Sequence, residues 1–291
     1  MDTKEIIKKV RLIELKSRRN ADNIFMGEYQ SSFKGRGMIF SEIRPYQYGD
    51  DVRNIDWNTT AKYNEPYVKI FEEEREMTML LMVDVSASNQ FGTRKQFKSE
   101  TIAEICATLA LSAVKFNDLV GLILYTDEVE LYIPPKKGRK HVLRIIRELI
   151  NFEPKNKSND LSNALRFLID SFKRRANVFI LSDFIDDSDY LKNLRVASKK
   201  HDLAGIRIND EREYILPDVG MVRLRDNETG KIKLINTSSP KTRMEYREYF
   251  LNMNKNFEQN FRQSGAGTLQ IQNGEDFVKP LLNYFKIHAA K

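Results

Sequence analysis

The sequence predicts an α/β fold in which a mostly parallel sheet carries helices on both faces. Continuous apolar runs such as Met77–Val85 and Val178–Leu181 show no alternation, as is typical of strands buried on both faces of a sheet. Segments with helical spacing of apolar residues separate these runs, as at Ile102, Ile105 and Leu109. Strand alternating with helix indicates parallel strands joined by crossover helices.

The predicted sheet domain spans residues 76–210, because the alternation of strand and helix is confined to that range. Its expected elements are, in order, a strand at Met77–Val85, a helix at 97–116, strands at Leu119–Tyr125 and Val129–Ile133, helices at 141–152 and 161–174, a strand at Val178–Leu181, a helix near 188–200 and a last strand at Leu203–Ile208.

Two extensions flank this domain, and we expect both to wrap it without folding alone. Residues 1–75 predict an amphipathic helix over 2–20, hairpins and turns over 25–65, and a strand at Val68–Phe71. For residues 211–291 we expect a hairpin with its turn at Asp226–Gly230, a charged helix at 241–263 and a final helix at 275–288.

Composition narrows the class of protein. The chain has 291 residues and a mass of 34.1 kDa, with 41% hydrophobic and 31% charged residues, which supports a packed core and excludes global disorder. The longest apolar runs fall far short of the roughly 18 residues of a membrane span, and the charged N-terminus lacks the apolar core of a signal peptide. The single cysteine, Cys106, excludes an internal disulfide and predicts a small buried side chain. Together these features predict a cytoplasmic protein without membrane insertion.

The net charge of +7 invites a nucleic-acid interpretation, which the distribution of charge weakens. The 48 basic residues face 41 acidic ones, the two signs are interspersed, and aromatic residues are not interleaved with the basic clusters. The basic segment Lys136–Lys140 joins a strand to a helix, where a solvated loop is favoured over phosphate binding. Nucleic-acid binding stays an alternative, although the sequence contains no recognition motif for it.

The segment Asp84-Val85-Ser86-Ala87-Ser88 carries the strongest chemical signal. It lies where the first buried strand ends, and functional groups of open α/β sheets gather at that edge. Ser182-Asp183 follows another buried strand, and the loop Ser158-Asn159-Asp160 precedes a helix, so three loops are expected to converge. Carboxylate and hydroxyl oxygens are hard donors, which predicts a site for Mg²⁺ or Mn²⁺.

Two other interpretations of this segment stay open. The first is a phosphoryl-transfer aspartate of a metal-dependent phosphohydrolase, as in haloacid dehalogenase-type phosphatases. Those enzymes need a second Asp two residues after the nucleophile as general acid, and Ser86 occupies that position. The second is that Ser86 and Ser88 cap the following helix. Neither a nucleotide-binding loop nor an acid–base pair is visible in the sequence, so we expect no enzyme activity.

These motifs resemble a von Willebrand factor A domain with its metal-ion-dependent adhesion site. The resemblance rests on Asp84–Ser88, on the Ser-Asn-Asp-Leu-Ser-Asn-Ala-Leu segment at 158–165 and on Leu181–Phe184. It implies metal ligands at Asp84, Ser86, Ser88 and Asp183. The second loop of such domains usually offers a Thr, and here Asn159 takes its place with an amide oxygen.

The flanks are similar to a bacterial family catalogued as domain of unknown function fifty-eight. The signature consists of Phe33–Gly37, Phe40–Tyr46 and Gly49–Trp57, and Asp226–Gly230 fits the same family. Within the signature an ion-pair network is favoured over a docking surface for a partner, and Trp57 is expected to be a packing anchor.

The resemblance implies a non-enzymatic protein-interaction module. In adhesion-type sites a carboxylate of the partner completes the metal's coordination, which links metal binding to partner binding. Members of the family are often encoded beside AAA+ ATPases of the MoxR type, which are thought to act as chaperones in protein assembly or maturation. We therefore expect a cytoplasmic adaptor that works with such an ATPase.

Overall fold

The computed structural model describes residues 17, 37–74, 77–92, 97–185, 188–225, 227 and 230–289. Contacts divide the chain into two compact units, Phe33–Glu76 and the remainder. Apart from Ser17, the helix predicted over residues 2–20 lies outside the described residues.

The smaller unit is an antiparallel strand pair with a short helix in its connection. Its elements are β1 (Gly37–Pro45), α1 (Trp57–Tyr63) and β2 (Tyr67–Glu74). The helix corrects the expectation of hairpins and turns alone. Asp56 precedes it and accepts hydrogen bonds from the backbone N–H groups of Asn58 and Thr59, which provides the N-cap that starts a helix.

Within this unit ion pairs form between Arg44 and Asp50 and between Arg53 and Asp51. That an ion-pair network holds this extension to the sheet stays a prediction. The expectation that Trp57 is a packing anchor is wrong, because its side chain is 70% exposed. Trp57 is the first residue of α1, and this lone Trp did not mark a core position.

The larger unit contains the predicted sheet. Its elements are β3 (Thr78–Asp84), α2 (Lys98–Lys115), β4 (Leu119–Tyr125), β5 (Val129–Lys136), α3 (Arg139–Asn151), α4 (Leu161–Ser171), β6 (Asn177–Ser182), α5 (Leu191–Lys200), β7 (Asp202–Asn209), α6 (Glu211–Tyr214), β8 (Met221–Arg225), β9 (Ile232–Asn236), α7 (Pro240–Gln263), β10 (Gly267–Gln272) and α8 (Val278–Ala289).

The sheet has the strand order β10-β7-β6-β3-β4-β5, and only β5 runs antiparallel to its neighbour. Helices α4, α5 and α7 cover one face, where Leu80, Ile180 and Phe257 share a core. Helices α2 and α8 cover the other face, where Phe179 and Phe285 pack edge to face. The predicted α/β class with a mostly parallel sheet and helices on both faces is confirmed.

The C-terminal segment corrects one expectation, because β7 is not the last strand of the sheet. β10 pairs in parallel with β7 and forms the edge. Its sequence, Gly-Thr-Leu-Gln-Ile-Gln, alternates apolar and polar residues and is only partly buried, so it lacks the continuous apolar run of the inner strands. The sheet therefore draws on residues from both 76–210 and 211–291.

Helix α7 approaches this side of the sheet closely. A Cβ atom on Gly205 of β7 would lie 2.5 Å from a ring carbon of Phe261, so glycine is required where the helix packs.

None of the helices in the described part of the chain has both the length and the apolarity that a membrane span requires.

Candidate functional site at the carboxyl end of the sheet

The predicted loops meet at the topological switch point of the sheet. Strands β3 and β6 are adjacent and parallel, with Val83 opposite Leu181. After β3 the chain crosses through α2 to β4 on one side, whereas after β6 it crosses through α5 to β7 on the other. The connections leave in opposite directions, which opens a crevice at the carboxyl ends of these two strands.

Asp84 lies at the centre of this crevice and is buried. Its Oδ1 accepts a hydrogen bond from the backbone N–H of Ser86 at 2.9 Å. Its Oδ2 accepts from the Ser182 hydroxyl at 2.7 Å and from the Asn159 side-chain amide at 3.2 Å. These donors are neutral, so the carboxylate is held in place without being neutralised.

The two serines of the turn converge. Their hydroxyl oxygens lie 3.0 Å apart, and Ser86 is buried. The capping interpretation fails for Ser86, because its side chain makes no cap hydrogen bond to the 3-10 turn at Ala87–Gln90, and α2 begins only after Phe97. The hydroxyls are therefore directed to the site by the turn itself.

The loop before α4 is fastened to the same turn. The Ala87 backbone N–H donates to the carbonyl of Lys157, and the Asp160 N–H donates to that of Thr126. This places Asn159 beside Asp84, with its amide nitrogen donating both to Asp84 and to the carbonyl of Ile185 at 3.2 Å. Both partners only accept, so the nitrogen of Asn159 faces Asp84 and its oxygen does not.

Asp183 has a different environment from Asp84. Its Oδ2 accepts from the Lys98 ammonium at 2.9 Å, and its Oδ1 accepts from the backbone N–H of Ile185 at 3.2 Å. Lys98 is 1% exposed and also contacts Glu213, whose second oxygen accepts from the Asp210 N–H. One buried ammonium thus joins two buried carboxylates from distant parts of the chain.

Burial and charge shift the pKa values of these groups. Burial, with the charge of Asp183 added, raises the pKa of the Asp84 carboxyl above its usual range. Burial alone would lower the pKa of the Lys98 ammonium, but the carboxylates of Asp183 and Glu213 outweigh it and raise that pKa. Burial also raises the pKa of Glu213.

The oxygen atoms of the Asp84–Ser88 turn fit a hard divalent cation. They comprise a carboxylate that no ammonium or guanidinium of the described residues contacts, and two hydroxyls at close range. The buried Oδ1 of Asn89, whose amide nitrogen donates to the Asp84 carbonyl, accepts no hydrogen bond from the described residues. No cluster of three His, Cys, Asp or Glu suited to a metal occurs in the described ranges, so such a site would depend on the serines.

The structure brings together all five residues predicted as ligands: Asp84, Ser86, Ser88, Asn159 and Asp183. As ligands they stay predictions. Asn159 presents N–H groups to Asp84, and both oxygens of Asp183 already accept hydrogen bonds.

Sequence reasoning missed Lys98 and Glu213. Each lies in a segment rich in charged residues, where a solvated position is the ordinary expectation. The one signal that distinguishes Glu213 is its place three residues after Asp210, as the last residue of a capping box. No pattern marks Lys98.

The fold and the site therefore define an α/β protein with a carboxylate-and-hydroxyl turn at its switch point. A family model described as "Protein of unknown function DUF58" matches residues 42–256, and the chain belongs to this family. The uncharacterized protein Rv1480 of Mycobacterium tuberculosis is 27% identical over 286 residues, which cover 98% of this chain and 90% of that protein. The name of this relative states no activity.

Two solved structures are similar to this chain at low sequence identity, and the first of them shares its fold. The conserved hypothetical protein BatB of Bacteroides thetaiotaomicron is 12% identical with a TM-score of 0.50, over 74% of this chain and 100% of that one. A von Willebrand factor type A protein from Catenulispora acidiphila is 11% identical with a TM-score of 0.39, over 77% of this chain and 44% of that one.

Proposed function

We propose that this protein is a non-enzymatic interaction module whose binding site is the carboxyl end of its sheet. The proposal rests on one observation. The buried carboxylate of Asp84 and the hydroxyls of Ser86 and Ser88 converge in a single turn at the switch point. A bound Mg²⁺ or Mn²⁺ would supply the positive charge that Asp84 lacks and a coordination position for an acidic residue of the partner.

The chain's own groups account for the rest of the site. Ser182 and Asn159 orient the carboxylate of Asp84 by hydrogen bonds to one of its oxygens. The Asn89 amide fixes the turn by its bond to the Asp84 carbonyl at 3.1 Å. The turn contains no second carboxylate two residues after Asp84, which is why binding is favoured over phosphohydrolysis.

Isothermal titration calorimetry with MgCl₂ and MnCl₂ tests the metal. We expect saturable heat for the wild type, none for Asp84→Ala, and wild-type heat for Asp170→Ala, which removes an exposed carboxylate from α4. Equal heats for the Asp84 variant and the wild type, or no heat for the wild type, would contradict metal binding at this turn.

We further propose that the protein acts in the cytoplasm as an adaptor for an AAA+ ATPase of the MoxR type, with protein assembly or maturation as the outcome. The similarity of its signature segments to a family often encoded beside such ATPases supports this role.

The test of the adaptor role is co-elution of the purified protein with a purified MoxR-type ATPase, in Mg²⁺ and in EDTA. Co-elution that EDTA or Asp84→Ala abolishes is expected. The absence of co-elution contradicts the adaptor role, and co-elution that survives EDTA contradicts its metal dependence.

The smaller unit offers a second surface for the same role. Tyr48, Trp57 and Tyr63 are exposed there, and exposed Trp and Tyr are the side chains that most often dominate protein interfaces. We expect Trp57→Ala to weaken binding to the ATPase or its client in the co-elution assay. The melting temperature of Trp57→Ala should match that of the wild type, because the side chain is mostly exposed. Unchanged binding would exclude this surface.

A further inference from the structure

Lys98 is a buried cation that the proposed function does not use. Its ammonium lies 2.9 Å from Asp183 and contacts Glu213, and the side chain has almost no exposed surface. A buried lysine of this kind is retained only where carboxylates compensate its charge. This ammonium lies beside a turn whose oxygen atoms fit a divalent cation.

The backbone ties Lys98 to that turn. The Lys98 N–H donates to the carbonyl of Phe91, and the Phe91 N–H donates to the carbonyl of Ser88. On the other side Asp183 follows Ser182, whose hydroxyl donates to Asp84. The ammonium is thus held on both sides by groups that also position the oxygen donors of the turn.

The Lys98 ammonium and a divalent cation at the turn would compete for the carboxylate of Asp183. Asp183 follows β6, the neighbour of β3, and lies close enough to Asp84 for its charge to raise the pKa of that carboxyl. It could therefore assist a divalent cation at the turn, yet the ammonium of Lys98 and the N–H of Ile185 engage both of its oxygens. Each carboxylate that a site loses, and each positive charge placed near it, lowers its affinity for a divalent cation.

We infer that Lys98 is an affinity-determining residue of this site, whose ammonium withholds Asp183 from a divalent cation and so keeps binding of Mg²⁺ and Mn²⁺ weak. The inference rests on the proposed function, because it concerns the cation of the Asp84–Ser88 turn. Weak binding of the metal alone makes occupancy depend on the partner, whose carboxylate supplies the missing negative charge.

Calorimetry with MgCl₂ and MnCl₂ on the full chain tests this inference. Lys98→Met is expected to bind both ions about tenfold more tightly than the wild type, because a repelling charge is removed and a carboxylate is released. The matched control is Lys192→Met, which removes an exposed lysine from α5 and should bind like the wild type.

A second variant guards against loss of folding. Lys98→Met combined with Glu213→Gln removes one charge of each sign, so it frees Asp183 without adding net negative charge to the core. It should show the same gain in affinity, with a circular dichroism spectrum and a cooperative unfolding transition like those of the wild type. Adding Asp183→Asn to this variant should abolish the gain, which a merely structural role of Lys98 would not predict.

The outcomes separate the two proposals. If the wild type binds metal and the folded double variant binds it no more tightly, the role of Lys98 is overturned while the metal site stands. If the double variant gains affinity that Asp183→Asn leaves in place, the competition for Asp183 is overturned. If neither the wild type nor the variants bind metal, both the metal site and the inference fail.

Discussion

The two ends of the central sheet differ in the buried ionisable groups that they hold. At the carboxyl end Asp84, Asp183, Glu213 and Lys98 are all buried, and hydrogen bonds or ion pairs hold each of them. At the amino end the buried Asp118 accepts a hydrogen bond from the Met77 N–H. His201 is buried there too, just before β7, and neither of its ring nitrogens has a hydrogen-bond partner among the described residues. Burial, with the charge of Lys200 added, lowers its pKa to about 4, so it is neutral at pH 7.

This difference shows that the fold gathers its cluster of buried charged groups at the carboxyl end of the sheet. A neutral buried histidine needs no counter-ion, whereas buried carboxylates destabilise a fold unless they are compensated. Nothing in the packing of the apolar strands requires charges at the carboxyl end. The four buried charged groups gathered at the carboxyl end, beside the switch point, support the proposal that this end is the binding site.

The largest expected effect concerns Lys98. Lys98→Met leaves the buried carboxylates of Asp183 and Glu213 without a cation, and we expect the free energy of unfolding to fall by about 3–5 kcal/mol. Urea unfolding followed by circular dichroism measures the change. Lys192→Met should lie within about 0.5 kcal/mol of the wild type. A similar small loss for both variants would show that the two ends do not differ as described.

The next largest effect is a pH dependence of the free energy of unfolding, caused by His201 at the amino end of the sheet. The pKa of His201 is about 4 in the folded protein and 6.5 when unperturbed, so only the unfolded chain gains a proton between these values. Its stabilising contribution is complete above pH 6.5 and is lost as the pH falls to about 4, by up to roughly 3 kcal/mol.

Urea unfolding between pH 7 and 4 measures this slope. His201→Leu should flatten it, whereas His141→Leu, at the start of α3, should retain it because His201 is still present. A slope that survives the His201 substitution would assign the acid sensitivity to the carboxyl end instead.

A smaller effect is expected at Ser182. Its hydroxyl donates to Asp84 and accepts from the Phe184 N–H at 2.9 Å, so Ser182→Ala leaves two buried polar groups short of a partner. We expect a loss of about 1–3 kcal/mol by thermal or urea unfolding. Ser171→Ala at the exposed end of α4 is the control and should be neutral. Equal stabilities would mean that the Asp84 network contributes nothing to the fold.

The smallest effect concerns the basic loop at the amino end. Lys136 pairs with Val120 at the start of β4, so the loop lies a strand length, about 20 Å, from Asp84. That exceeds the Debye length of roughly 8–10 Å, so Lys136→Glu with Lys140→Glu should change neither metal affinity nor, beyond about 0.5 kcal/mol, stability. A clear change in the calorimetric affinity would show that the two ends are coupled.

Much of the fold was predictable because inner strands of a parallel sheet are apolar along their whole length. β3, β4 and β6 appear in the sequence as continuous runs, and each was expected within one residue of its observed bounds. Cys106 was predicted to be buried and is. β10 was missed because an edge strand is only partly covered, and α1 because a helix of seven residues barely shows a period.

The candidate site was predictable only in part. Asp84, Ser86 and Ser88 lie within five residues of one another, and their place after a buried strand already indicated a binding turn. Asn159 and Asp183 were expected to join them, and the structure places them there. What each side chain bonds to was out of reach, because it depends on partners such as Ile185 and Lys98 that come from other loops.

The sequence by itself determined the α/β class, the positions of the inner strands and the turn that begins at Asp84, because hydrophobic patterning and adjacent donors are local properties of the chain. Only the tertiary structure decided that the ammonium of Lys98 is buried between Asp183 and Glu213. Those residues are far apart in the sequence, and a charge becomes part of a core only when the fold places its counter-charges around it.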